Sequence, residues 1–308
     1  MNLTEENNSK KKVILTKKYT VNDFPVLYIN LERDNSRNDK MKEELHKKGL
    51  NFERIDAVHG LSLEKEEYQK KIYQKLGLSV NNLHISENEM TTEFWLNRSN
   101  FKTMCKYKNP VFAKVGCYLS HLIAVKHAFD NNYDRVLILE DDMKFLKNYN
   151  SEFEIPSDAD IYYLGGTFYH QNKMENGPAK KALENNSKFF KINVNELKMN
   201  GTFGYVIPNR EKIQEIYLVL QSVFLSFLLT RQKKKDKDWR WRTGRVALRA
   251  QAIDFMYINH YQKNGNCYVN NPVMISHEEE HGSNINNNRK KYKLNFFLCD
   301  EHKNELEV

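Results

Sequence analysis

The sequence predicts an α/β protein, and three observations carry that expectation. FPVLYINL at 24–31 and NFERIDAV at 51–58 are apolar runs of strand length with a helical pattern between them. Strand, helix and strand so close together form a βαβ unit, which needs a parallel pair and a crossover helix. DRVLILEDD at 134–142 then places four consecutive apolar residues before three acids, as expected of a strand covered on both faces. Strands and helices keep alternating to about residue 262, so the expected sheet is mostly parallel and flanked by helices.

Taken in order, residues 1–22 read as a basic, Asn-rich, disordered tail, and 23–308 as one domain. In ERDNSRNDKMKEELHKKGL, Asn35 or Ser36 suits an N-cap, Met41 and Leu45 lie four apart, and Gly49 terminates the helix. The polar stretch 61–110 reads as an insertion with a helix near 64–76. GCYLSHLIAVKHAFDNN at 116–132 puts Leu119, Leu122, Ile123 and Phe129 on one helical face. IYYLGG at 161–166 and GTFGYVIP at 201–208 read as strands ending in turns, and Pro208 opens a long apolar helix. A basic loop, 233–245, and a helix near 247–262 follow.

Composition narrows the classes without choosing among them. Of 308 residues, 40% are apolar and 29% charged, which supplies a core and excludes disordered or collagen-like chains. A net charge of +8 suits a nucleotide, a nucleic acid or an acidic membrane surface. Cys105, Cys117, Cys267 and Cys299 form no CxxC, which argues against a zinc knuckle or disulfide framework and favours a reducing compartment. With no apolar leader in MNLTEENNSKKK, a cytoplasmic location is expected. The run IQEIYLVLQSVFLSFLL is short for a lipid-spanning helix and carries polar residues, so no integral membrane segment is expected.

Glu140, Asp141 and Asp142 fall where ligands collect in α/β sheets, at the carboxyl end of a strand. Strand alternation gives Glu140 and Asp142 a common face. Two close carboxylates repel unless a cation intervenes, and a hard divalent cation would in turn hold a diphosphate. A solvated turn is the plain alternative. Metal-dependent phosphoryl or nucleotidyl transfer shares such acids, but there is no GxxxxGK[ST]. A non-enzymatic alternative uses Trp239 and Trp241, interleaved with arginines, to stack on nucleic acid. A basic insertion near the site or an oligomer contact explains that loop more simply.

The ordered set INLERDNSR, IDAVHG, GCYLSH, LILEDD, GTFGYVI, AIDFM and ISHEEEHGSNI resembles glycosyltransferase family 25. That family includes bacterial lipopolysaccharide β-galactosyltransferases and procollagen galactosyltransferases. The resemblance runs from about residue 24 to 285 and departs most at 61–110 and 233–245, which leaves the acceptor open.

The resemblance implies a GT-A-type nucleotide-sugar-binding domain that inverts the anomeric carbon. The expected donor is a UDP-sugar carrying galactose or glucose, and the acceptor a glycan or protein hydroxyl. It makes LILEDD a DxD-like motif: Asp142 binds Mn²⁺ or Mg²⁺, Glu140 lies nearby, and Asp141 contacts ribose or sugar. A late histidine, His277 in preference to His281, is the third ligand. Arg33 and Arg37 reach the nucleotide, since the guanidinium fork suits phosphate or a carbonyl edge. Ser120 and His121 bond a ribose, a sugar hydroxyl or a neighbouring acid, and Gly165 and Gly166 let backbone approach the donor. Asp254 is the first candidate base, with Glu278, Glu279 and Glu280 behind it. Nucleic acid is disfavoured as a partner, and self-association is left open.

Overall fold

A computed structural model describes residues 14–78, 111–146, 149, 152–169, 185–195, 198–230 and 252–277. The chain opens with β1 (Thr16–Thr20), β2 (Val26–Asn30), α1 (Asn35–Lys47), β3 (Phe52–Asp56), α2 (Glu66–Lys75) and α3 (Val111–Asp130). It continues through β4 (Val136–Glu140), β5 (Met143–Phe145), β6 (Glu152–Pro156), β7 (Ile161–Tyr169), β8 (Phe189–Lys191) and β9 (Lys198–Ile207). The long helix α4 (Arg210–Thr230) follows, then α5 (Ile253–Tyr257) with a π turn at Ile258–Gln262, β10 (Cys267–Asn270) and β11 (Ile275–His277).

Seven strands form the main sheet in the order β3-β2-β4-β9-β7-β10-β8. The expected parallel βαβ start is present, since β2 pairs parallel with both β3 and β4. The expectation of a mostly parallel sheet does not hold, because β9 enters antiparallel between β4 and β7. The physical reason is the connection: β7 leads to β9 without a crossover helix among the described residues, and such neighbours pair antiparallel. Part of the segment expected to be a disordered tail is also structured, with β1 pairing antiparallel with β6.

Strand alternation divides the core in two. Leu27, Ile29, Val136, Ile138, Tyr163 and Tyr205 pack toward α3, α4 and α5, against Leu122, Ile216 and Met256. Val26, Tyr28, Leu137, Leu139 and Val206 pack the other way, against Met41 and Leu45 of α1 and Ile275 of β11. A run of apolar residues in β4 is thus explained by burial on both faces.

The start of β11 is laid across the sheet at a pair of glycines. Gly165 of β7 and Gly204 of β9 stand directly opposite one another. Met274 N–H donates to the Leu164 carbonyl at 2.8 Å, and Ile275 fills the trough. A Cβ at Gly165 would lie 2.1 Å from the Ile275 carbonyl oxygen, whereas one at Gly204 would meet the Ile275 Cδ1 at 2.2 Å. The glycine at 165 therefore admits a crossing strand. Beyond it, β11 pairs with β5 with His277 opposite Met143.

Because backbone yields less readily than a side-chain terminus, Gly165→Ala is expected to destabilise by at least about 1–3 kcal/mol, and more than Gly204→Ala. Urea midpoints of the two variants measured side by side check the order.

Candidate active site

The acidic end of β4 is built from three neighbouring pieces of chain. β4 stops at Glu140, and the backbone turns at Asp141 and Asp142 before resuming as β5. Ile29 of β2 pairs with Glu140, so the next residue, Asn30, reaches the turn. Its Nδ2 donates to Asp141 Oδ2 at 2.7 Å and to the Asp34 carbonyl at 3.3 Å. Asp34 stands at the N-cap position of α1 without a side-chain cap hydrogen bond, and Arg37 in the first turn brings Nη1 to 3.1 Å from Asp141 Oδ1 and 3.7 Å from Asp142 Oδ2. The Arg37 side chain is 8% exposed and each aspartate side chain 12%.

Two carboxylates facing one guanidinium leave a net negative charge in a poorly solvated place. Burial, reinforced by Asp142, raises the Asp141 pKa to about 6 against the opposing pull of Asn30 and Arg37. The shared face expected for Glu140 and Asp142 is not formed. Alternation ends with the strand, so Glu140 points to the α3 face while Asp142 turns with Asp141 toward Arg37.

Glu140 meets a second cluster. Its Oε1 lies 3.3 Å from His121 Nε2 and accepts a hydrogen bond from the Thr202 hydroxyl. His121, 1% exposed, has its Nδ1 3.0 Å from the Tyr205 hydroxyl, which also bonds Tyr257 at 3.0 Å. Cys117 lies one turn before His121 on α3, and its ligand atom with those of His121 and Glu140 forms a group within 4.8 Å. Asp254, in the first turn of α5, is close enough to Glu140 to feel its charge. Burial raises the Asp254 pKa and Glu140 adds to the shift, while its Oδ1 accepts the Phe255 N–H at 2.8 Å.

Of the residues singled out in the sequence, Arg37, Asp141 and Asp142 come together on the α1 face, and His121, Glu140 and Asp254 gather on the α3 face. The backbone of His277 stands beside the turn through its pairing with Met143. Arg33 stands apart, 54% exposed, with Nη1 2.9 Å from His59 Nε2. Ser120 lies mid-helix, where its hydroxyl donates to the Gly116 carbonyl and accepts the Val58 N–H. That use ties α3 to the chain after β3. Gly165 and Gly166 are buried, the former under Ile275. His281 and Glu278 to Glu280 lie outside the described residues, as do the loop 233–245 and both Trp239 and Trp241. Sequence reading missed Asn30, Cys117 and Thr202. A Cys-x₃-His spacing on a helix was the available signal for Cys117, since i and i+4 share a face.

Residues 24–225 match the family model described as glycosyltransferase family 25 (LPS biosynthesis protein). The chain belongs to this family. Among curated relatives of this family 25 chain is procollagen galactosyltransferase 1-B of Xenopus laevis, 26% identical over 154 residues, which are 46% of this chain and 21% of the relative. Another is human procollagen galactosyltransferase 2, 20% identical over 196 residues, 59% of this chain and 25% of the relative. The aligned part is thus a quarter or less of each relative's length. A glycosyltransferase is what the family and these relatives support.

Asp141 gives the family 25 site a pH signature. A carboxyl whose folded pKa is raised stabilises the fold below its unfolded pKa, and that contribution is lost as pH rises through about 6. Asp141→Asn removes the loss, so in metal-free buffer the variant should gain on wild type between about pH 4 and pH 7, by up to roughly 3 kcal/mol. Chemical denaturation of both proteins across that range measures it.

Proposed function

We propose that this glycosyltransferase is an inverting, metal-dependent hexosyltransferase moving galactose or glucose from a UDP-sugar to a hydroxyl of a glycan or protein. The observation that carries the reading is the Asp141–Asp142 pair at the carboxyl end of β4, held by Arg37 at 3.1 and 3.7 Å. β3 and β4 lie parallel on opposite sides of β2, so the chain order reverses between β2 and β4, and such a switch point opens a crevice at the carboxyl ends of the strands. The galactosyltransferase names of the relatives favour galactose and a protein hydroxyl.

The donor atoms fit a hard divalent cation: adjacent carboxylate oxygens carrying more negative charge than one guanidinium balances. Mn²⁺ or Mg²⁺ would be held by Asp142 with Asp141, and by His277 as the third ligand. When bound, it supplies positive charge to the departing nucleoside diphosphate. Arg37 orients both carboxylates, and the exposed guanidinium of Arg33 takes a donor phosphate or uracil carbonyl. Asp254 is the base. Burial raises its pKa, which makes its carboxylate a stronger base than an ordinary one for removing a hydroxyl proton. The acceptor oxygen bonds to the anomeric carbon as the bond to the diphosphate oxygen breaks on the opposite side, and the proton ends on Asp254.

UDP release from a panel of UDP-sugars with Mn²⁺ tests the reading. Turnover with one sugar is expected, abolished by chelator and by Asp142→Ala. Asp254→Asn should lower kcat by about 10²–10⁴-fold with little change in KM. Absence of turnover with every sugar and either metal would remove the proposal.

A further inference from the structure

The α3-face cluster lies apart from the acids proposed above to hold the diphosphate, and its chemistry differs from that of the acidic turn. We propose that Cys117, His121 and Glu140 form a separate site for a borderline-soft divalent transition metal of the zinc or cobalt class. Sulfur, imidazole nitrogen and carboxylate oxygen are the ligand types such ions prefer, whereas Mg²⁺ and Mn²⁺ prefer oxygen.

Geometry is the first argument. Metal–ligand bonds of about 2.0–2.3 Å put tetrahedral ligand atoms roughly 3.3–3.8 Å apart. His121 Nε2 and Glu140 Oε1 are 3.3 Å apart, and all three ligand atoms lie within 4.8 Å, so a small side-chain movement closes the set. Two ligands come from one helix at i and i+4, and the third from a strand end, all on packed elements rather than loops.

The support around the ligands is the second argument. A metal-binding imidazole needs its other nitrogen fixed, and Tyr205 holds His121 Nδ1 while bonding Tyr257. This leaves Nε2 aimed at Glu140, with the Thr202 hydroxyl bridging the two at 3.3 Å from Nε2. Charge is the third. A thiolate and a carboxylate with a neutral imidazole cancel a divalent ion, so the loaded cluster is neutral where burial penalises net charge. Binding releases the thiol proton to solvent. Without metal the thiol stays protonated, because burial and the Glu140 and Asp254 carboxylates hold its pKa well above the ordinary value. Three protein ligands leave a fourth position open, and the Asp254 carboxylate acts on Cys117 and feels the charge of Glu140.

Cobalt is the probe, because thiolate ligation gives Co²⁺ a near-ultraviolet charge-transfer band. The full chain, in excess Mg²⁺ to occupy oxygen sites, is titrated with Co²⁺. A saturable charge-transfer band at one equivalent, with tetrahedral visible bands, is expected in wild type. Cys117→Ser should lose the charge-transfer band, and Tyr205→Phe should weaken Co²⁺ affinity by about tenfold through the freed imidazole. Unchanged far-ultraviolet circular dichroism and a cooperative urea transition in both apo variants show that they fold. The proposal is overturned if wild type takes up no Co²⁺, binds it without a thiolate band, or if the band survives in Cys117→Ser. None of these readouts requires turnover, so the result stands whether or not the transferase reaction is detected.

Discussion

Arg37 places one guanidinium between two carboxylates that follow one another in the chain, and the carboxyl end of β4 depends on that contact. Without it, Asp141 and Asp142 would face each other with little water to screen them, and the turn into β5 would carry uncompensated charge. The contact also ties down the start of α1. Asn30 bonds the carbonyl of Asp34 at the N-cap position, and Arg37 follows three residues later on the side that faces the acids. β2, α1 and β4 are therefore bound together by charge at the same end where their apolar residues are bound by packing.

A single strand end supplies two different chemical environments because the sheet has two faces. Glu140, still in strand geometry, looks toward the helices that carry Cys117 and His121. One residue later the backbone has left the strand, and both following acids look toward α1. Oxygen and guanidinium define one side, sulfur and imidazole the other. Three consecutive acids read as one cluster in the sequence, yet they face two sides of the sheet.

The local elements were legible in the sequence because local rules govern them. The βαβ start, the doubly covered β4 and the extent of α1 follow from apolar runs and helical spacing, and the strand limits fell within a few residues of those expected; the N-cap position is Asp34 rather than Asn35 or Ser36, and its side chain makes no cap hydrogen bond. What was not legible depends on distant pairing. The antiparallel entry of β9 is set by which strand it neighbours, which no local pattern encodes. Ser120 and His121, expected near a helix start, lie in mid-helix because α3 begins at Val111. The Glu140–Asp142 pairing failed for a similar reason: alternation holds only while the strand lasts. Gly165 read as room for a ligand, but the room is taken by Ile275, more than a hundred residues further along.

That crossing by Ile275 bears on how the protein comes to be made. The segment rests on Gly165 and Gly204, so β7 and β9 must already be paired before it can dock. Its strand then zips against residues synthesised long before it, with His277 meeting Met143. Contacts of such sequence separation close late, since the loop entropy must be overcome first. A nascent chain thus leaves the β5 edge, next to its ion-paired acids, without its partner until β11, the last of the described strands, has been made.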